Sequence, residues 1–440
     1  VSVYPSVTYD NLYYSNGFFY PTEEELKEAE NSAYKASIST FDINTMLPFL
    51  VDMGVVFFAN TYNVTATLNL NVESRVEFRR YNFLGSIFET SFSGKLNITT
   101  SLDGNLTFRG EENSANNSTA KASIVNSGSL EINGSVIFTG FWNYNTTSQG
   151  GAINSSGTLY LENVNINNCV SVTSGGGIIA GNKTTIVNCR IENCKAQNGG
   201  GLYVLGKVEL QNVDIVGNFG LNNSTADTKA VRGGGVYIAG TSSEVTIISS
   251  RINYNGFSYI TSYAQGGGIY IESGNVVIED SDISYNNSYY GGGLYISATS
   301  NVTGSNLRIE SNTLQNGTTA QVNMGAGVFI DERATFTLIS GLIRSNGTNR
   351  NSTTHNINGI GVFNNGNFNF ATNGDTTSQI TLNSDRVSTY YGGGIVNNGV
   401  INLYGGYISQ NFTARGDSNC GNGVFGIGGT TLITGTTYFQ

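Results

Sequence analysis

One feature constrains this chain more than any other: a block of three small residues, followed by an apolar and an aromatic residue, returns along most of its length. It reads Gly-Gly-Gly-Leu-Tyr at 199–203 and again at 291–295, Gly-Gly-Gly-Val-Tyr at 233–237 and Gly-Gly-Gly-Ile-Tyr at 266–270. Looser forms begin at 150, 175, 325, 359, 392 and 421. The third small residue falls at 152, 177, 201, 235, 268, 293, 327, 361, 394 and 423. The steps are 24 or 25 residues at the shortest and 29 to 34 where residues are inserted. A fixed period of this size is the signature of stacked repeats, in which one unit cannot bury its apolar face alone.

A second unit fills the interval. It runs Val208-x-Leu210, Val213-x-Ile215, Asn218, then Val245-x-Ile247, Ser250-x-Ile252, Asn255, then Val276-x-Ile278, Ser281-x-Ile283, Asn286. Alternation with period two marks short half-buried strands, and Asn and Gly mark the turns between them. Three short strands in about 25 residues, repeated ten times, describe an all-β fold: a right-handed parallel β-helix. The coils are expected over 55–440, irregular over 55–135 and regular over about 136–425. Thr22, with Glu25 three residues on and Leu26, Ala29 and Ala33 after it, is a capping-box helix start, so 22–54 is expected to be a helical cap. Residues 1–21, rich in Tyr and Phe, read as an extended arm with no core role, able to complete a sheet on a neighbouring copy.

Composition narrows the classes. With 57 Gly but only 3 Pro the chain is not collagen-like, and 11% aromatic residues argue against disorder. A net charge of −10 without a basic run makes nucleic acid and anionic membranes poor partners. No transmembrane segment is expected: the most apolar stretch, 46–59, is broken by Pro48 and Asp52 and is shorter than the ~18 residues a span needs. The chain opens at Val1 without a basic-then-apolar leader, which fits a processed or partial chain.

Gly-Gly-Ala-Ile at 150–153, with the Ile-x-x-Asn endings Ile309/Asn312, Ile343/Asn346 and Ile408/Asn411, resembles the paired GGA[ILV] and FxxN repeats of the chlamydial-type polymorphic outer-membrane proteins, and is similar to pectin-lyase-like parallel β-helices. The resemblance spans roughly 136–425. It implies a β-helical surface adhesin. Here the first motif is mostly Gly-Gly-Gly, and the second carries Ile where that family prefers Phe.

Aligned coils place Asn165, Arg190, Asp214, Arg251, Asp282 and Arg308 in one outward column. The plain reading is an exposed ion-pair stack. The catalytic alternative is a lyase-type site in which Asp280 and Asp282 hold Ca²⁺ beside Arg251 or Arg308, a chemistry that needs several carboxylates converging on the metal. Tyr203, Tyr237, Tyr270, Tyr295, Phe329, Phe363 and Phe425 form a second column. It reads either as an exposed stripe for sugar or protein binding or as a stack covered by loops.

Seventeen Asn-x-Ser/Thr sequons occur, among them Asn63, Asn97, Asn105, Asn145, Asn182, Asn301, Asn316, Asn346, Asn351 and Asn411. Roughly twelve are expected by chance from 58 Asn and 90 Ser plus Thr, so the excess favours a glycosylated, secreted chain. Cys169 and Cys194 sit 25 residues apart, where other coils carry Asn, and are expected to stack as a disulfide bridge or at least in contact, with Cys189 buried in the core. The single histidine, His355, lies in a polar loop and supports no Ser/His system. The glycine triplets precede strands and lack a following Lys-Ser/Thr, so they are not phosphate loops. Arg415-Gly416-Asp417 is an integrin-type tripeptide of a length that recurs by chance.

Insertions concentrate at 219–232, 256–265, 313–324, 347–358 and 412–420, one corner of the coil. Repeat proteins place binding there. The sequence therefore points to a non-enzymatic extracellular structural or adhesive surface glycoprotein, without cofactor or metal, that presents a loop-lined edge and polymerises head-to-tail. Its expected partners are further copies of itself and a host or cell-surface protein or glycan. The alternative is a polysaccharide lyase or glycoside hydrolase on the same scaffold.

Overall fold

The computed structural model describes residues 9–16, 18–20, 22–31, 47, 50–110, 120–221, 230–257, 264–315, 322–348, 357–384, 389–412 and 422–439. More than half of them lie in strands, and the strands stack in parallel from coil to coil, which makes the fold a parallel β-helix. One coil illustrates the rest. A three-residue strand Leu202–Val204 follows the glycines; Lys207–Gln211 and Asp214–Val216 follow it; the two-residue strand Phe219–Gly220 closes the turn. The first position stacks into a 13-stranded sheet, while the second and third join in a 27-stranded one. Register is strict: Leu202 pairs with Val236, Val208 with Val245 and Ile215 with Ile252.

Alternation decides which side chains go in. Val208, Leu210 and Ile215 are buried, whereas Glu209 and Asp214 between them face out. Stacked Ile, Leu and Val columns fill the interior, and in the early coils Phe58, Phe78, Phe108 and Phe138 replace them. Two corners of each coil need a left-handed residue. One column holds Asn163, Asn188, Asn212, Ser249, Asp280 and Asn306; the other holds Asn168, Asn193, Gly217, Tyr254 and Tyr285. Asn and Gly recur there because other side chains crowd the following carbonyl in that conformation.

The turn asparagines form a buried ladder. Asn218, Asn255, Asn286, Asn312, Asn346, Asn383 and Asn411 stand one above another, 0 to 6% exposed. Each Oδ1 accepts two bonds from the preceding Asn, one from its backbone N–H and one from its Nδ2; for Asn286 they come from Asn255 at 2.9 and 3.1 Å. Each Nδ2 also donates to the Ile carbonyl of the coil below, as Asn286 does to Ile252 O at 2.8 Å. Every polar atom of the amide is used, which buried amides require. The third glycine makes room for it: a Cβ on Gly201, Gly235 or Gly268 would come within 2.9–3.0 Å of Asn218, Asn255 or Asn286. The one coil with alanine in that place, Ala152, carries Cys169 instead of asparagine at the ladder position. The Gly-Gly-Gly and Ile-x-x-Asn motifs are thus two sides of one contact.

The chain's start departs from expectation. The helix spans Glu23–Asn31, with Thr22 Oγ1 accepting from Glu25 N at 3.2 Å and Leu26 fully buried, as the capping box implies. The arm, however, is already used. Tyr9–Ser15 pairs antiparallel with Phe18–Tyr20 and parallel with Leu50–Phe58, and Leu12, Tyr14 and Phe19 are buried. Its alternation serves the chain's own sheet, so residues 9–20 are not a free strand for a neighbour. Leu50–Phe58 belongs to the long sheet rather than to a helical cap. The coils before 136 are regular as well, since Tyr62, Phe88, Ile124 and Ile153 share one column.

The ladder makes a direct prediction. Asn286→Leu strips the acceptor from Asn255 N–H and Nδ2 and the donor from Ile252 O, so urea unfolding should show a loss of about 3–5 kcal/mol. Asn301→Ala, on the exposed face, should stay within about 0.5 kcal/mol.

Candidate functional site

The expected outward column exists: Asn165, Arg190, Asp214, Arg251, Asp282 and Arg308 pair in consecutive coils. Its charges are spent on one another. Asp214 receives Arg190 at 3.2 Å and Arg251 at 2.5 Å, while Arg308 closes on Glu310 at 2.6 Å. Asp282 is consequently bonded by neither arginine and accepts from Ser284 Oγ. Asp280 occupies a left-handed corner with φ 49° and accepts from Asn306 Nδ2 at 2.8 Å. It stands where other coils carry Asn or Ser, which gives it a conformational role. Among the described residues no three His, Cys, Asp or Glu side chains come together to hold a metal ion. The lyase-type arrangement of Asp280, Asp282, Arg251 and Arg308 does not assemble.

The aromatic column stacks as expected, with ring centroids 4.6–5.4 Å apart from Tyr203 through Tyr237, Tyr270, Tyr295 and Phe329 to Phe363. It faces away from the central core but is not exposed. Tyr237, Tyr270, Tyr295, Phe329 and Phe363 are 3 to 6% accessible, and Tyr290 and Met324 pack over them. Arg232 lies over the Tyr270 ring at 5.4 Å. Burial pushes the hydroxyl pKa of Tyr237 and Tyr295 upward, helped by Glu272 and Asp331 respectively. The stripe is a second, smaller core beneath the strands that return from the insertions, such as Val231–Arg232 and Ala264–Gln265. The two ends of the column, Tyr203 and Phe425, are half-buried and keep appreciable access.

Cys169 and Cys194 do stack, bracketed by the pairs Asn167 with Glu192 and Val170 with Lys195. Both are free thiols, as is the buried Cys189. They continue the foot of the asparagine ladder: Cys194 N donates to Asn218 Oδ1 at 2.9 Å, and its thiol points at Ile166 O, 3.9 Å away, as each ladder amide points at an Ile carbonyl. Burial, followed by the neighbouring Cys169, holds the Cys194 thiol far above its usual range, and burial pushes Cys189 up to about 12. Such thiols stay protonated and unreactive at neutral pH.

The sequons divide. Asn63, Asn182 and Asn301 are exposed, and Asn97, Asn105 and Asn145 half-buried. Asn346 and Asn411 are ladder residues with both amide atoms bonded inside the rod, so neither carries a glycan in this fold. Asn316, Asn351, His355, Cys420 and Arg415-Gly416-Asp417 lie outside the described residues.

Alignment of motifs missed another surface. Trp142, Asn168, Val170, Asn193, Lys195 and Phe219 line a hollow of about 300 Å³ on the short third face. Beyond it Tyr254 and Tyr285 stack at 4.8 Å while remaining 56% and 51% exposed. The available signal was tyrosine immediately before the ladder Asn, where the coils below have Asn or Gly and the next two above have Ser. No family of known proteins matches the chain, and no curated protein or solved structure does either.

The charged face predicts a pH response. Burial raises the Glu310 pKa, but hydrogen bonds from Arg308 and Arg344 outweigh it and hold the carboxyl below its ordinary 4.5. A lowered folded-state value means that the stabilisation is present above pH 4.5 and is lost as pH falls below it. Glu310→Gln should cost under about 1 kcal/mol at neutral pH. The difference from the parent should vanish on acidification, as read by chemical unfolding at several pH values.

Proposed function

We propose that this chain is a non-enzymatic extracellular structural or adhesive protein, a rigid rod that presents ligand-binding loops along one edge. One observation carries the reading: the inserted segments leave and rejoin the rod at the same two positions of the coil. They depart after the short strands Phe219–Gly220, Gly256–Phe257, Thr313–Leu314 and Gly347–Thr348. They return at Val231–Arg232, Ala264–Gln265, Asn323–Met324 and Ile357–Asn358. A stiff scaffold with length variation confined to one edge is how repeat folds position binding surfaces.

Secretion and surface display are supported by the exposed sequons Asn63, Asn182 and Asn301. End-to-end association belongs to the same reading. Among the described residues no helix is long and apolar enough to cross a membrane.

The test is adhesion of beads bearing the full chain to cell layers and to immobilised glycans. Cutting 222–229, 316–321 and 349–356 back to the length of an uninserted coil should abolish binding while the far-UV spectrum is kept. Adhesion indifferent to that shortening would contradict the proposal. So would depolymerisation of a uronate polysaccharide by the parent that Asp282→Asn abolishes.

A further inference from the structure

A strip of aromatic side chains, Trp142 and Phe219 half-buried and Tyr254 and Tyr285 exposed, runs along one corner of the rod, and its chemistry is not explained by folding. Strand pairing sets Trp142, Val170, Lys195 and Phe219 in successive coils of the third face. The adjoining left-handed corner carries Asn168, Asn193, Gly217, Tyr254 and Tyr285 in successive coils. The backbone N–H of each corner residue meets the carbonyl of the next coil: Asn193 at Val216 O, Gly217 at Asn253 O and Tyr254 at Ser284 O. The two columns lie two residues apart in every coil, so Tyr254 follows Phe219 one coil further on. With coils ~4.8 Å apart, the strip from Trp142 to Tyr285 is about 24 Å long.

Two features single it out from ordinary surface. Tyr254 and Tyr285 hold φ of 58° and 57°, a conformation that is a genuine outlier for a bulky side chain. Asn or Gly serves the same corner in the coils below. Their rings pack on each other and otherwise face solvent. The left-handed turn itself belongs to every coil, and Ser311, Ser345, Leu382 and Gln410 continue it above, so what stands out is the choice of an exposed tyrosine in two successive coils. In the hollow, Lys195 is exposed and forms no ion pair among the described residues, because the nearby Glu192 is taken by Arg190 at 2.7 Å. The Asn193 amide beside it makes no hydrogen bond among those residues, and Gly217 leaves the space above it open. Trp142 is fixed by its Nε1 bond to Asn168 O at 3.3 Å.

We infer that this strip is a binding site for an acidic oligosaccharide. Flat aromatic faces at coil spacing suit the apolar faces of pyranose rings, the Asn168 and Asn193 amides suit sugar hydroxyls, and the Lys195 ammonium suits a uronate carboxylate. One unpaired cation at this strip, on a chain of net charge −10, selects one acidic group at one place rather than a polyanion along the rod. The inference deepens the adhesive reading by naming a ligand class, and apart from Phe219, where one insertion departs, it stands on residues outside the insertion edge.

The sole tryptophan of the chain, Trp142, reports on the site directly. The full chain is titrated with a glucuronate-containing hexasaccharide and with neutral cellohexaose, following tryptophan emission. The acidic sugar should shift the emission saturably and more tightly than the neutral one. Tyr254→Asn with Tyr285→Asn, which suits the left-handed corner and keeps the fold, should weaken binding by about tenfold or more. Lys195→Met should erase the preference for the acidic sugar. Absence of a saturable shift up to about 1 mM of either sugar overturns the site. Equal affinity for both sugars, undiminished binding by the tyrosine variant, or a shift produced only by an acidic peptide does so too. Sugar binding without bead adhesion would sink the adhesive reading alone, and adhesion that survives the tyrosine substitutions without sugar binding would sink the strip alone.

Discussion

Everything in this rod depends on what happens to the polar backbone at one corner of the coil, where the chain turns inward and no water reaches it. A buried amide hydrogen or carbonyl left without a partner costs roughly 1–3 kcal/mol, and the corner recurs in every coil. The asparagine ladder resolves this by supplying one amide per coil that accepts two bonds from the coil below and donates one up and one down. Because each amide completes its neighbours, the register of one coil is transmitted to the next. The same amide sets the glycine requirement across the turn, since its atoms stand where a Cβ on the third glycine would be.

Much of this was legible in the sequence. Alternation identified the strands, the glycine period identified the coil, and Ile-x-x-Asn identified the corner, because each is a direct consequence of a strict repeat. What escaped was whatever depends on the packing of segments outside the repeat. The aromatic column was placed on the correct outward side, yet its exposure turned on strands from the insertions, such as Ala264–Gln265, which carry no periodic signal. The early coils were read as irregular because Phe78 and Phe108 fill the core in place of the Ile and Gly pattern. The arm's alternation was recognised, but nothing in its sequence says whether the partner strand belongs to the same chain. Sequons at Asn346 and Asn411 match a local motif that is blind to the ladder. Tyr254 and Tyr285 become visible only when positive φ is known.

Function follows from what the scaffold leaves over. The arginines of the outward column are all taken by Asp214, Glu192 or Glu310, and the aromatic column is consumed as a second core. The insertion edge and the corner strip of Trp142, Lys195, Phe219, Tyr254 and Tyr285 remain available. Both lie along the rod rather than in a cleft, a geometry suited to engaging extended or repeated ligands through several weak contacts.

The central claim is that ladder amide and third glycine are one interaction, and a double-mutant cycle at Gly201 and Asn218 measures it most directly. Gly201 has no positive φ, and a Cβ there would meet the Asn218 amide and the Gly235 carbonyl alike at 3.0 Å, so changing Asn218 isolates the share that the amide contributes. Gly201→Ala alone should cost about 1–3 kcal/mol by overpacking. In an Asn218→Cys background, which mimics the natural pairing of Ala152 with Cys169, the same substitution should cost markedly less, a coupling of about 1 kcal/mol or more. Costs that add to within about 0.5 kcal/mol would contradict the account, because the glycine would then be required for some reason other than the asparagine ladder.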